Sequence, residues 1–147
     1  SMSNQDDNLQ MDLTSGISAF EAKHFSQASH LLSPLAEAGH PDAQYRMAIM
    51  AQNGLGMAPN ELMAFKFMRS AAENGFALAQ HGLGFMYLEG ECVEQNSAKA
   101  VEWFRKAADQ GLAGSLTTLA GMYEAGNGVE KDPDEAKRLY ALAGFDM

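Results

Sequence analysis

Residues 77–111, ALAQHGLGFMYLEGECVEQNSAKAVEWFRKAADQG, decide the fold, because the chain carries versions of them on both sides. At an offset of 36 residues towards the N-terminus, Leu83, Met86, Gly90, Ala100, Ala107, Ala108 and Gly111 fall on Met47, Met50, Gly54, Ala64, Ala71, Ala72 and Gly75. At the same offset towards the C-terminus, Leu83, Met86, Tyr87, Gly90, Val93, Ala100 and Ala107 fall on Leu119, Met122, Tyr123, Gly126, Val129, Ala136 and Ala143. A fixed period of this size builds stacked supersecondary units rather than one folded-back core. Helix formers dominate and β-branched residues are few, so the class is all-α.

Working outward, one plan recurs. Gly39, Gly75 and Gly111 close a helix, as the residue able to take left-handed geometry at a helix C-terminus, and Pro41 suits the first turn of the next. That helix ends near Gly54, Gly90 or Gly126, and a loop of about five residues leads to a second helix. Its N-cap candidates are Asn60, Asn96 and Asp132, each with a side-chain oxygen able to accept from an unpaired backbone N–H. Asp132-Pro133-Asp134-Glu135 combines cap, first-turn proline and acid, the strongest helix start in the chain.

The register predicts four helix-turn-helix repeats, at about 9–39, 40–75, 76–111 and 112–147, hence eight helices in four antiparallel pairs and no sheet. The first repeat opens with Leu9, Leu13, Ile17 and Phe20 on one face. Its second helix follows His24 with Phe25, Ala28, Leu31, Leu32 and Leu35 inward, and Pro34 is expected to weaken or bend it. Residues 1–8, SMSNQDDN, have nothing to bury and are expected to form a disordered tail before a single domain over 9–147.

Small residues predict where helix axes meet: Ala64, Ala100 and Ala136 recur at one position, and Gly84 would let a neighbouring helix reach the backbone. Leu83, Met86 and Tyr87 share a face at i, i+3, i+4 spacing. Met50, Met86 and Met122 occupy one repeat position, which reads as core filling rather than a metal or partner surface. Cys92 stands in an inter-helix loop where the neighbouring repeats have Gly56 and Gly128. Either it adopts a positive φ at some cost or the loop relaxes around it.

The segment LGFMYLEGECVEQNSAKAVEWFRKAADQG, with LAGMYEAGNGV after it and NGLGM and FMRSAAENG before it, resembles the Sel-one-like repeat (SLR) family, a relative of the tetratricopeptide repeat. In that family an LGxMYxxGxGV segment ends the first helix and KAxxWxxKAAxxG forms the second. Three repeats match over 41–147, the earliest with Ala51 where tyrosine is expected. The opening GISAFEAKHFSQASHLLSPLAEAG looks more like a plain tetratricopeptide hairpin with a shorter loop. The resemblance implies an α/α solenoid, a right-handed superhelix whose concave side is lined by first helices. It also implies a bacterial adaptor or scaffold for protein–protein interaction. A cysteine-rich branch of the family has been linked to β-lactam binding or hydrolysis, but its paired cysteines are missing here.

Composition narrows the chemistry. Nineteen acidic and ten basic side chains give a net charge of −9, which disfavours nucleic acid and anionic membranes as partners. One cysteine forms no intramolecular disulfide and no zinc spacing. No apolar run approaches the roughly 18 residues of a membrane span, so no membrane insertion is expected. SMSNQDDN is not a signal peptide. Ser1 before Met2 reads as a cloning remnant: with Met2 as the native start the protein is cytoplasmic, and with a signal peptide removed upstream it is periplasmic. Gly54-Leu55-Gly56 and Gly126-Asn127-Gly128 lack the Lys-Ser/Thr of a phosphate loop. His24, His30, His40 and His81 show no metal-ligand spacing, and no nucleophile signature is present. We therefore expect no catalytic residue, metal or cofactor.

The expected function is a non-catalytic scaffold holding a protein or peptide segment. If Leu83, Gly84 and Tyr87 face the core, the opposite face of that helix carries His81, Phe85, Leu88 and Glu89. One period earlier it carries Tyr45, Ile49, Gln52 and Asn53, and one later Thr117, Gly121, Glu124 and Ala125. Side by side, these make a strip of apolar anchors with an amide and acidic edge, suited to a basic or neutral partner segment. Tyr45 and Phe85 are the expected anchors. The alternative for Ile49 and Phe85 is packing between adjacent first helices. The alternative function is a small-molecule or peptidoglycan-fragment binder or hydrolase in the manner of the cysteine-rich branch. Leu139, Tyr140, Leu142 and Phe145 are expected to be exposed on the C-terminal face, either where a homodimer would form or because this chain stops short of the native end.

Overall fold

The computed structural model describes residues 2–145. Among them eight α-helices follow one another with no strand: α1 (Met2–Glu21), α2 (Phe25–Glu37), α3 (Pro41–Asn53), α4 (Glu61–Glu73), α5 (Ala77–Glu89), α6 (Ser97–Asp109), α7 (Ala113–Ala125) and α8 (Pro133–Leu142). The chain forms two compact units, Ser1–Asn74 and Gly75–Met147. In unit 1, α1 pairs with α2 and α3 with α4, while α3 also packs on α2 and touches α1. In unit 2, α5 pairs with α6 and α7 with α8, and α6 packs on α7. These are the four predicted pairs.

Local chemistry sets the helix ends where the register places them. The Asn60, Asn96 and Asp132 side chains accept from the backbone N–H of Met63, Lys99 and Glu135 at 3.0, 3.0 and 3.1 Å. Gly54, Gly90 and Gly126 end the first helices at φ of 67°, 69° and 68°. Each seven-residue connection is tied back by the same bond: Asn60 N–H to Ala51 O, Asn96 N–H to Tyr87 O and Asp132 N–H to Tyr123 O, at 2.8, 2.8 and 2.9 Å. Within it Cys92 holds φ 63°, beside 66° at Gly56 and 73° at Gly128. The loop has not relaxed around the cysteine. The hairpin between α1 and α2 is shorter, three residues with Lys23 at φ 65°.

The core follows the repeat positions. Met50, Met86 and Met122 are buried, as are Ala64, Ala100 and Ala136. Gly84 makes room for a ring rather than a backbone: a Cβ there would lie 2.8 Å from two ring atoms of Phe104 on α6. Phe104 is fully buried, which contributes on the order of 2–3 kcal/mol. Also on α6, Trp103 is half-buried, with the Lys106 ammonium 5.4 Å from its ring centroid.

Two expectations change, the disordered tail and the fully exposed C-terminal face. The predicted tail is helical from Met2, because MSNQDDNLQ contains no helix breaker; its residues 4–12 are exposed, and Ser1 lies outside the described residues. Pro34 lies within α2, which runs on to Glu37. Helix α8 is three residues shorter than α6 and is followed by Gly144 at φ 96°. On the C-terminal face Leu139 is buried at 1% exposure and Tyr140 is half-buried, while Leu142 (61%) and Phe145 (54%) are exposed.

Candidate binding face

The predicted site residues lie on the first helices α3, α5 and α7. In unit 2, α5 brings His81 and Phe85 one turn apart, and both meet Phe104. The rings of His81 and Phe85 are 5.0 Å apart, those of His81 and Phe104 5.5 Å, and those of Phe85 and Phe104 5.0 Å, all edge to face. Such geometry sets a positive ring edge against a negative ring face. Phe85 therefore packs against its neighbours and yet stays half-buried, its remaining surface open.

His81 is held from a second side. Its Nδ1 and the Ser115 Oγ of α7 share a hydrogen bond of 2.6 Å. Burial lowers the pKa of His81, so the ring is neutral at pH 7. A serine and histidine at this distance invite comparison with a nucleophile and its base. Ser115 has no exposed surface, so the pair cannot meet a substrate; it ties α5 to α7. Sequence reasoning missed Ser115 and Phe104. The first lies nearly one period after His81, the offset that brings adjacent first helices side by side.

On α7 the His81 ring lies against Gly114, while Gly121 leaves its position open. A Cβ on Gly114 would sit 3.3 Å from His81 Cε1, and one on Gly121 would meet only the Tyr140 hydroxyl, at 3.9 Å. Thr117 donates to the Gly114 carbonyl at 3.1 Å, so its hydroxyl serves its own helix. Glu124 accepts from Tyr140 at 3.3 Å, and burial together with Glu124 raises the Tyr140 pKa. Leu88 is half-buried, and Glu89 is exposed with no ion pair among the described residues.

In unit 1 the equivalent face centres on Tyr45, half-buried on α3. The Arg46 guanidinium lies 5.9 Å from its ring centroid and 5.8 Å from that of Phe20 on α1. Arg46 also donates to the Asp42 carboxylate at 3.0 Å. Burial raises the Tyr45 pKa, with Arg46 opposing and Glu21 adding to the shift. Ile49 and Gln52 are half-buried, and Asn53 turns its amide back to the Ile49 carbonyl at 2.9 Å. The structure thus clusters His81 with Phe85, and Tyr45 with an arginine, while Asn53 and Thr117 have polar groups committed to their own helices.

Among the described residues no group of three or more His, Cys, Asp or Glu is placed to hold a metal ion. No described helix is long and apolar enough to cross a membrane.

No curated protein matches the chain. Among solved structures it is similar to a Sel1 repeat protein from Oxalobacter formigenes, at 33% identity and TM-score 0.86 over 90% of this chain and 53% of that one. It is also similar to c5321, a protective antigen of uropathogenic Escherichia coli strains with an SLR fold, at 28% identity and TM-score 0.87 over 95% of this chain and 31% of that one. The chain therefore spans about half and about a third of the lengths of these two. Cysteine rich protein B of Helicobacter pylori, at 18% identity and TM-score 0.61 over 89% of this chain and 87% of that one, shares the fold alone. The Sel1 repeat model matches residues 41–76, 77–112 and 117–144, and the chain belongs to the Sel1 repeat family.

Proposed function

We propose that this protein is a non-catalytic scaffold that holds a segment of a partner protein on the faces of its first helices. One observation carries the reading. In unit 2 the Phe85 ring, packed on His81 and Phe104, stays half-open, and Gly121 puts no side chain at the same repeat position of α7. An aromatic anchor with an open position in the next repeat accommodates an apolar side chain of a partner and brings its main chain close. Glu89 and Glu124 favour a basic or neutral segment, and capture is expected to weaken as salt screens them. In unit 1, Tyr45, at the repeat position of His81, offers a half-buried ring on the same face as Ile49 and Gln52.

The packing of Phe85 on Phe104 shapes the test. Phe85→Ala removes core contacts and is expected to cost about 2–4 kcal/mol, so lost capture would not separate binding from folding. Gly121→Arg is cleaner. Its Cβ meets nothing closer than 3.9 Å, and replacing a mid-helix glycine adds up to about 1 kcal/mol of helix stability. Partner capture from a lysate, identified by mass spectrometry, is expected to be lost in Gly121→Arg while the melting temperature holds or rises. An unchanged set of captured proteins would remove this face from consideration.

A further inference from the structure

The imidazole of His81 sits in a slot that three helices of unit 2 build. Phe85 of α5 and Phe104 of α6 stand 5.0 and 5.5 Å from it, centroid to centroid, and Gly114 and Ser115 of α7 close another side. The sequence of α7 is matched to this ring. Where α7 has Gly114-Ser115, α3 has Asp42-Ala43 and α5 has Leu78-Ala79. A Cβ at 114 would stand 3.3 Å from His81 Cε1 and 3.7 Å from its Nε2, and an alanine at 115 would offer Nδ1 no hydroxyl. Of these two departures from the neighbouring repeats, one makes room for the histidine and the other gives it a partner.

The bond between Nδ1 and the Ser115 Oγ, at 2.6 Å, is a side-chain tie between the first helices α5 and α7. It suits a neutral ring. The groups that face the imidazole are two phenyl rings, a glycine and a hydroxyl, none of them charged. Among the described residues no carboxylate forms an ion pair with it. A proton therefore places a charge in the slot with no counter-ion, and such a charge is driven towards water. Burial already holds the ring below the ordinary histidine value. His81 is half-buried, so part of it already meets solvent, whereas Ser115 has no exposed surface and stays behind. The serine hydroxyl can then turn to a carbonyl one turn back in its own helix, as helical serines do, which makes the departure of the ring reversible.

We propose that the His81–Ser115 bond is a pH-sensitive clasp: a proton on the imidazole drives the ring out of its slot, parts α5 from α7 and unseats the Phe85 ring. Its use, the release in acid of a segment held at neutral pH, rests on the reading of this face given above. The clasp itself does not.

The test is an NMR titration of the full chain from about pH 8 to about pH 4.5, which brackets the histidine range. It is read at the His81 imidazole, the Phe85 ring and the backbone amides of Gly114 and Ser115. All are expected to move on one curve, with a midpoint below the ordinary histidine value, while far-ultraviolet ellipticity holds. The Overhauser contact between the His81 and Phe104 rings, present at the neutral end, should be lost at the acid end. His81→Gln should remove the transition from Phe85 and Gly114. Ser115→Ala, which copies the neighbouring repeats, should raise the midpoint, because it removes a bond of the neutral, seated ring. A ring contact that persists through the titration, a transition that survives in His81→Gln, an unmoved midpoint in Ser115→Ala, or ellipticity lost along the same curve would each overturn the clasp. No partner enters this titration, so such a result leaves the binding face standing. Conversely, a titration as described, in a protein whose capture survives Gly121→Arg, removes the binding face and keeps the clasp.

Discussion

Cys92 occupies a backbone conformation that the other two long loops give to glycine, at φ 63° against 66° and 73°. A side chain in the left-handed region costs about 1–2 kcal/mol, part of which glycine returns through its larger unfolded-state entropy. Cys92→Gly is therefore expected to raise stability by up to about 1 kcal/mol in a thermal melt; a fall would mean that the thiol's contacts outweigh the strain. A second residue difference is a single methylene. Gln110 reaches Gln80 Oε1 and the Gly75 carbonyl, both at 2.9 Å. Its counterpart Asn74 is too short and bonds Ser70 O at 2.8 Å instead, which leaves Gln44 Oε1 without a donor. Asn74→Gln should supply one, with a gain of about 1 kcal/mol read from urea unfolding. The positive φ at Cys92 was legible because glycine recurs at fixed offsets. The Gln44 deficit was not, because it depends on which side chain spans two helices.

Among the elements, α5 and α6 meet closely at Gly84. Gly84→Ala places a methyl 2.8 Å from the Phe104 ring, and the ring is walled by His81 and Phe85. The expected cost is about 1–3 kcal/mol in chemical denaturation. A neutral result would show that the three rings shift together. Helix boundaries were readable at this scale because caps and closing glycines act within a few residues, as Asn60, Asn96 and Asp132 do. Helix α1 extends to Met2 through a stretch with no helix breaker, and α8 ends before Gly144.

For the whole molecule, pH is the variable that acts on two of the side-chain ties between helices of unit 2. The Arg138 hydrogen bond, helped by Arg105, holds the Glu135 carboxyl below the usual range. It contributes stability above its unfolded pKa, and that contribution is lost as pH falls through the folded value. His81 is lowered by burial. Below about 6.5 the unfolded chain takes up a proton that the folded site refuses, so stability falls with pH until the folded value is reached. Both act in the same direction. Stability against urea should decline from about pH 6.5 downward, with His81→Gln flattening the upper part of that slope and Glu135→Gln the lower. An unaltered slope in His81→Gln would place the titrating group elsewhere. The binding face was half legible in the sequence. Position in the repeat found Tyr45, His81 and Phe85, but Phe104 and Ser115, which decide how open Phe85 is and how His81 is charged, belong to other helices and have no motif.

The single tryptophan, half-buried on α6 beside the Lys106 ammonium, gives unit 2 an optical signature that unit 1 lacks. Indole emission follows the melting of residues 75–147 only, whereas far-ultraviolet ellipticity sums all eight helices. Recording both signals in one denaturation series turns Trp103 into a built-in reporter of cooperativity. Superimposed curves identify one melting block, and an emission midpoint displaced from the ellipticity midpoint assigns each half its own unfolding free energy.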